Sequence, residues 1–208
     1  MKPIVNYIWD FDGMLFDTYP HTLEAFCETC RRYGVPFKRE EVFAHLKITI
    51  WDALRYYGFD EVMTAAFYAV ENDLDFRPEG KPYPMMPQIL EDIVNNGGKN
   101  YPYSHRDVVA RQYLERYSLD RFFADAVTRE HGFPHKPAPD AIEYLMEKHA
   151  LNKDDCLMLG DRLIDVGSGV NAGVHTCLFD EFGDLPEANC DHRVRTTEAL
   201  FDLVKAIM

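Results

Sequence analysis

The sequence predicts an α/β protein: a Rossmann-like parallel-sheet core with an inserted α-helical subdomain. Three observations lead there. A short apolar, strand-like segment near the N-terminus runs straight into Asp10-Phe11-Asp12-Gly13. A long stretch of purely helical pattern follows it, and from Lys99 onward strand-like and helix-like segments alternate. Alternation of this kind implies parallel strands covered by helices on both faces. The first strand belongs with that later half, so the helical block is read as an insertion. Residues 1–15 and 84–208 are expected to form the core and residues 16–83 the inserted cap.

Residues 5–9 are apolar and β-branched at the start, and Asp10 and Asp12 stop the run at a turn. Next, Leu23, Phe26, Cys27, Cys30 and Tyr33 recur at helical spacing, with Pro20 in the first turn and Gly34 as the stop. Shorter helices are expected over 40–46 and 50–57, the latter closed by Gly58, and a longer one over 60–74. Arg77-Pro78-Glu79-Gly80-Lys81-Pro82-Tyr83-Pro84 then reads as a hinge. Beyond it, helices are expected over 89–94, 108–117, 140–149, 166–172 and 198–207, and extended segments over 99–104, 124–128, 156–159, 175–179 and 192–194. Asn100 and Pro102 fall in what reads as an interior strand, where Pro removes a ladder donor.

Composition narrows the function. The 208 residues carry 22 Lys+Arg against 35 Asp+Glu, a formal charge of −13. That acid excess argues against tracking nucleic-acid phosphates, which takes clustered Lys and Arg. It leaves room for a small phosphorylated substrate held by one metal and one lysine. No signal-peptide pattern opens the sequence, and no apolar run reaches the ~18 residues of a membrane span. Five cysteines (Cys27, Cys30, Cys156, Cys177, Cys190) give an odd count without zinc spacing, so reduced buried thiols and a cytoplasmic location are expected. Oligomeric state is left open.

Three motifs stand at the carboxyl ends of expected strands, where open α/β sheets place their ligands. Asp10 and Asp12 point the same way while the strand persists, and Gly13 lets the backbone approach a ligand closely. Taken alone, the pair reads more readily as a polar strand end or an Asx turn. Gly160-Asp161 ends the apolar run Leu157-Met158-Leu159, and Asp165 follows one helical turn later. Such oxygen-only donors suit Mg²⁺, although Asp161 could simply cap the next helix and Asp165 complement its dipole. Lys136 is fixed in the loop Phe133-Pro134-His135-Lys136-Pro137-Ala138-Pro139-Asp140, and Ser104 offers a hydroxyl at another strand exit.

The order strand-DxDG, strand-Ser, loop-Lys-Pro, strand-GDxxxD, with a helical insertion after the first motif, resembles the haloacid-dehalogenase-like superfamily. Within its helical-cap branch, Asp12-Gly13-Met14-Leu15-Phe16-Asp17-Thr18 and Lys136-Pro137-Ala138-Pro139-Asp140 look most like the phosphoglycolate-phosphatase-like group. The resemblance implies a Mg²⁺-dependent phosphatase acting on a small phosphorylated metabolite. Asp10 would be the nucleophile forming an aspartyl-phosphate, and Asp12 the acid and then base, its carbonyl also ligating the metal. Ser104 would bind the phosphoryl group and Lys136 offset its charge. Asp161 would ligate Mg²⁺, as Asp10 does, with Asp165 a ligand or anchor.

An acid at Asp12 favours phosphate-ester chemistry over dehalogenation. Met14 stands where Thr is common in the group, and His105 where Asn is common. His105 could meet the leaving group or cap a helix. In the cap, Lys47 and His21 could bind a second anionic group of the substrate. The aromatic set Trp51, Tyr56, Tyr57, Phe59, Phe67 and Tyr68 reads as cap core. The rival readings are a phosphomutase similar to beta-phosphoglucomutase, which carries an acid where Gly160 stands, a receiver module, and a HAD-like protein without activity. A receiver has its acceptor Asp in mid-chain and no cap after the first strand. The intact set of motif residues argues against the last.

Overall fold

A computed structural model describes residues 2–208. The chain forms two compact units, one from the N-terminal segment up to Phe16 together with Pro82 onward, the other Asp17–Lys81.

The larger unit is built on β1 (Asn6–Asp10), β4 (Lys99–Tyr103), β5 (Cys156–Gly160), β6 (His175–Phe179) and β7 (His192–Val194). They form one sheet in the order β4-β1-β5-β6-β7, every pair parallel. Every residue of β1 is buried, which is why its sequence is a continuous run rather than an alternating one. The crossovers carry α5 (Met86–Asn95), α6 (Val108–Arg116), α7 (Asp140–His149), α8 (Leu163–Ala172) and α9 (Thr197–Ile207). α7 closes one layer of the core, with Ala141, Ile142 and Leu145 packed against Ile8, Tyr101 and Met158. Register matters most for function. Asp10 stands opposite Tyr103 of β4, and Trp9 opposite Leu159 of β5. The three strands therefore end level, which places Asp10, Ser104 and Asp161 side by side at their carboxyl ends. β1 lies between strands that run out to either side, the switch point where open α/β sheets bind ligands.

The structure corrects the expected interior position of Asn100 and Pro102. Among the described strands β4 is the edge of the sheet. Its outer side meets residues 123–127 only through bridges at Phe123 and Val127, so the strand expected over 124–128 is not formed as a continuous element. The Pro102 carbonyl accepts from Val127 N, which puts Pro102's backbone polar groups on the outer side, away from β1. A missing N–H there costs the central ladder nothing. Asn100 has its own reason. It is fully buried, accepts from the Trp9 indole N–H at 2.9 Å, and donates to the carbonyls of Leu90 and Phe122 at 3.2 Å. Asn100→Leu strands one donor and two acceptors in the core, each worth roughly 1–3 kcal/mol. We expect a stability loss of at least about 2 kcal/mol by urea unfolding, whereas a change within a few tenths would show that the network is dispensable.

The smaller unit holds α1 (Tyr19–Tyr33), α2 (Arg39–Ile48), α3 (Ile50–Tyr56) and α4 (Glu61–Glu71). α4 ends three residues before the expected stop. Between residues 18 and 76 the described elements are all helices, as expected; just outside them β2 (Phe16–Asp17) pairs with β3 (Lys81–Pro82) where the chain passes between units. Two-residue strands carry no periodic signal, so sequence could not show them. Phe26 is the hub of this unit, stacked on Phe59 and edge-on to Tyr57 and Phe67. Two of the expected core aromatics are not core: Trp51 and Tyr56 are more than half exposed. Cys27 and Cys30 are buried free thiols, and burial pushes the Cys30 thiol up to about 11, so neither is poised for redox or metal work.

Candidate active site

The loop after β1 begins the site. Gly13 takes φ +79°, a conformation only glycine adopts without strain, and the turn closes with Gly13 N to Phe16 O at 2.8 Å. Phe11 and Phe16 stack at 4.7 Å, and Tyr113 of α6 packs edge-on against both. Met14 is buried, an apolar side chain where the group commonly has a hydroxyl. The backbone around Asp12 is thus anchored by aromatic packing on both sides.

Asp10, Asp161 and Asp165 come together, all buried, with one oxygen of each lying within 4.8 Å of the others. Lys136 joins them. Its ammonium pairs with Asp10, lies 2.9 Å from Asp165 Oδ1, donates to the Tyr103 carbonyl at 3.2 Å, and sits over the Tyr103 ring. Burial alone would lower the Lys136 pKa, but the two carboxylates hold it above its ordinary value. Burial, then the charge of Asp165, pushes the Asp10 carboxyl up to about 7 against the pull of Lys136 and Arg162. Asp165 also feels burial, yet Lys136 and Arg162 bring it below the usual carboxylate value. These are two neighbouring carboxylates driven in opposite directions, a signature of functional sites.

The capping reading is also partly realised, though by Asp165 and not Asp161: Asp165 Oδ2 accepts from Arg162 N at 3.0 Å at the start of α8. Gly160 has a steric reason. A Cβ there would overlap the side chain of Asp165, so the close approach of β5 to α8 demands glycine.

Ser104 is buried, and its Oγ accepts from Arg106 N at 3.0 Å, leaving the hydroxyl proton to donate elsewhere. His105, the candidate to meet the leaving group or cap a helix, accepts at Nε2 from Lys136 N at 3.4 Å, and burial, with the charge of Lys136, brings its imidazolium down to about 3. The Asp12 side chain, 29% exposed, is not in the acidic cluster and pairs with Arg106.

His21 is a clear correction. It is fully buried, with its ring nitrogens 2.9 and 2.8 Å from the carbonyls of Pro78 and Glu71, which leaves no nitrogen for a substrate. Lys47 lies over the Tyr19 ring at 4.4 Å within the helical unit. Sequence reasoning missed Arg106 and Arg162. Arg162 comes within 3.7–3.8 Å of Asp10, Asp161 and Asp165. Arg106 follows the Ser104-His105 stretch and Arg162 lies inside the Gly160–Asp165 motif, but an arginine in a loop carries no periodicity to set it apart.

A family model for haloacid dehalogenase-like hydrolases matches residues 7–179. The chain belongs to this family. Among relatives of this haloacid dehalogenase-like hydrolase, the phosphoglycolate phosphatase of Vibrio cholerae is 38% identical over 85% of this chain and 84% of its own. The pyrophosphatase PpaX of Oceanobacillus iheyensis is 23% identical over 83% and 82%. A hydrolase from Streptococcus pneumoniae superposes with a TM-score of 0.65 at 32% identity, covering 88% of this chain and 96% of that one. The α/β sheet with its buried acids is thus the core of a hydrolase of this family.

The three clustered acids fit a divalent cation. Their donors are hard oxygens only, and Asp10 Oδ2 is buried without a hydrogen-bond donor. With Lys136 and Arg162 the cluster keeps one net negative charge, which a divalent cation turns positive.

Proposed function

We propose that the protein is a Mg²⁺-dependent phosphatase that hydrolyses a small phosphorylated metabolite through an aspartyl-phosphate on Asp10. The observation that carries this reading is the cluster Asp10–Lys136–Asp161–Asp165: one carboxylate oxygen kept without a donor beside a buried ammonium. A bound Mg²⁺ would be held by Asp10 and Asp161, with Asp165 beside them, and would draw negative charge from the phosphoryl oxygens. The chain's own residues do the rest. Lys136 offsets repulsion between the Asp10 carboxylate and the incoming phosphate; at 4 Å two like charges repel by about 4 kcal/mol at an effective dielectric of 20. Ser104 donates its hydroxyl proton to the phosphoryl group. Asp10 attacks phosphorus as the bond to the leaving oxygen breaks, and Asp12 gives that oxygen its proton. Asp12, now a carboxylate, takes a proton from the water that cleaves the aspartyl-phosphate and frees Asp10. Splitting one displacement into two lets the same groups serve both.

The helical unit is the cap in this reading, and specificity falls to it, with Lys47 the remaining cationic candidate from sequence. Glycine at 160 speaks against the mutase, which carries an acid at that position; here a Cβ would overlap the side chain of Asp165. Among the described residues no helix is long and apolar enough to cross a membrane. Free cysteines fit a reducing compartment, which we take as the cytoplasm.

The test is a screen of phosphoglycolate, sugar phosphates, nucleotides and pyrophosphate with Mg²⁺, with EDTA as control. Inorganic phosphate should appear with at least one substrate, and EDTA should abolish it. Activity surviving EDTA would remove the metal from the mechanism. Isomer conversion exceeding phosphate release would replace the phosphatase by a mutase.

A further inference from the structure

Arg106 is an expensive residue to bury. Only 7% of its side chain is exposed, yet its partner Asp12 keeps 29%, so the cation is fixed while the carboxylate stays reachable. Arg106 Nε lies 2.9 and 3.0 Å from the two Asp12 oxygens, a nearly symmetric contact that holds the carboxylate in place. The backbone N–H of the same residue donates to Ser104 Oγ. The guanidinium stands 5.8 Å from the Tyr113 ring centre, and that ring packs on Phe11 and Phe16, which bracket Asp12 in the chain. One arginine thus touches the proposed acid–base group with its side chain and the proposed phosphoryl donor with its backbone, and it shares a packing partner with the loop that carries the acid.

From this convergence we infer that Arg106 is a positioning residue for Asp12. The inference rests on the phosphatase reading above. As Asp12 gives its proton to the leaving oxygen it becomes a carboxylate, and the guanidinium beside it stabilises that charge and holds the oxygens in place for the second step. Arg106 itself makes no bond to phosphorus and neither takes nor gives a proton.

Leaving-group dependence separates this from a structural role. Phenyl phosphate needs a proton on its leaving oxygen; 2,4-dinitrophenyl phosphate does not. The ratio of kcat/KM for the two is independent of how much of a preparation is folded. Asp12→Asn should lower phenyl phosphate hydrolysis ~10²-fold or more beyond any loss on the dinitrophenyl ester, the size of general acid catalysis. Arg106→Met should shift the ratio in the same direction by ~10-fold or more, and Arg106→Lys, which keeps a charge but not the fork, should recover part of it. An unchanged ratio in Arg106→Met, with Asp12→Asn still shifting it, would overturn the role of Arg106 and leave the phosphatase intact. An unchanged ratio in Asp12→Asn would remove the acid, and with it this inference. No Mg²⁺-dependent hydrolysis of either ester by the unaltered enzyme would remove the reading beneath both.

Discussion

Asp10→Asn is expected to reduce turnover at least ~10⁴-fold without making the protein less stable. The loss follows from removing the oxygen that attacks phosphorus in the proposed mechanism. The stability follows from the sign of the Asp10 shift. Its folded pKa of about 7 lies above the ordinary 3.8, so the folded state holds the extra proton between those values. An acid raised in this way costs stability as pH rises through roughly 4 to 7, most of it lost once the group ionises. A neutral amide avoids that cost, and Lys136 keeps Asp165 as its partner. In metal-free buffer at pH 8 the variant should therefore melt at or above the unaltered protein. A dead enzyme that folds well is the expected pairing; retained turnover would exclude Asp10 as nucleophile.

Lys136→Met should behave in the opposite way, losing both. The ammonium is buried against two buried carboxylates, and removing one partner of such a cluster leaves charge uncompensated at about 3–5 kcal/mol. Turnover should fall ~10²–10³-fold or more, the scale of losing one preorganised charge-stabilising group. Mg²⁺ should restore part of the stability, because it supplies positive charge to the same acids, but not the turnover. Urea unfolding with and without Mg²⁺ checks this. A variant as stable as the parent in EDTA would mean that the acids do not depend on the lysine.

The sequence displayed the parts of this site whose chemistry is local. Asp10, Asp12, Lys136, Asp161 and Asp165 could be picked out because they interrupt apolar runs or sit among prolines, and the alternating pattern of the later half announced a parallel sheet. Long helices were legible for the same reason of periodicity. What it could not display depends on what lies opposite in space. Asn100 and Pro102 looked misplaced until β4 proved to be an edge with the Trp9 indole against it. His21 looked like a spare polar group near a hinge, and burial by two carbonyls decided otherwise. Arg106 reaches Asp12 across 94 residues of chain, a distance no motif spans. Trp51 and Tyr56 both belong to α3, whose apolar residues outnumber its buried positions, so composition overstated their burial.

The central claim is that phosphorus becomes bonded to Asp10. Acid quench of the enzyme during turnover with Mg²⁺, followed by borohydride reduction and peptide mass analysis, tests it most directly. Reduction of an aspartyl-phosphate converts that residue to homoserine, and we expect the conversion at Asp10, dependent on substrate, with Asp12 unchanged. Turnover with no conversion at Asp10, or conversion at another carboxylate, would contradict the account.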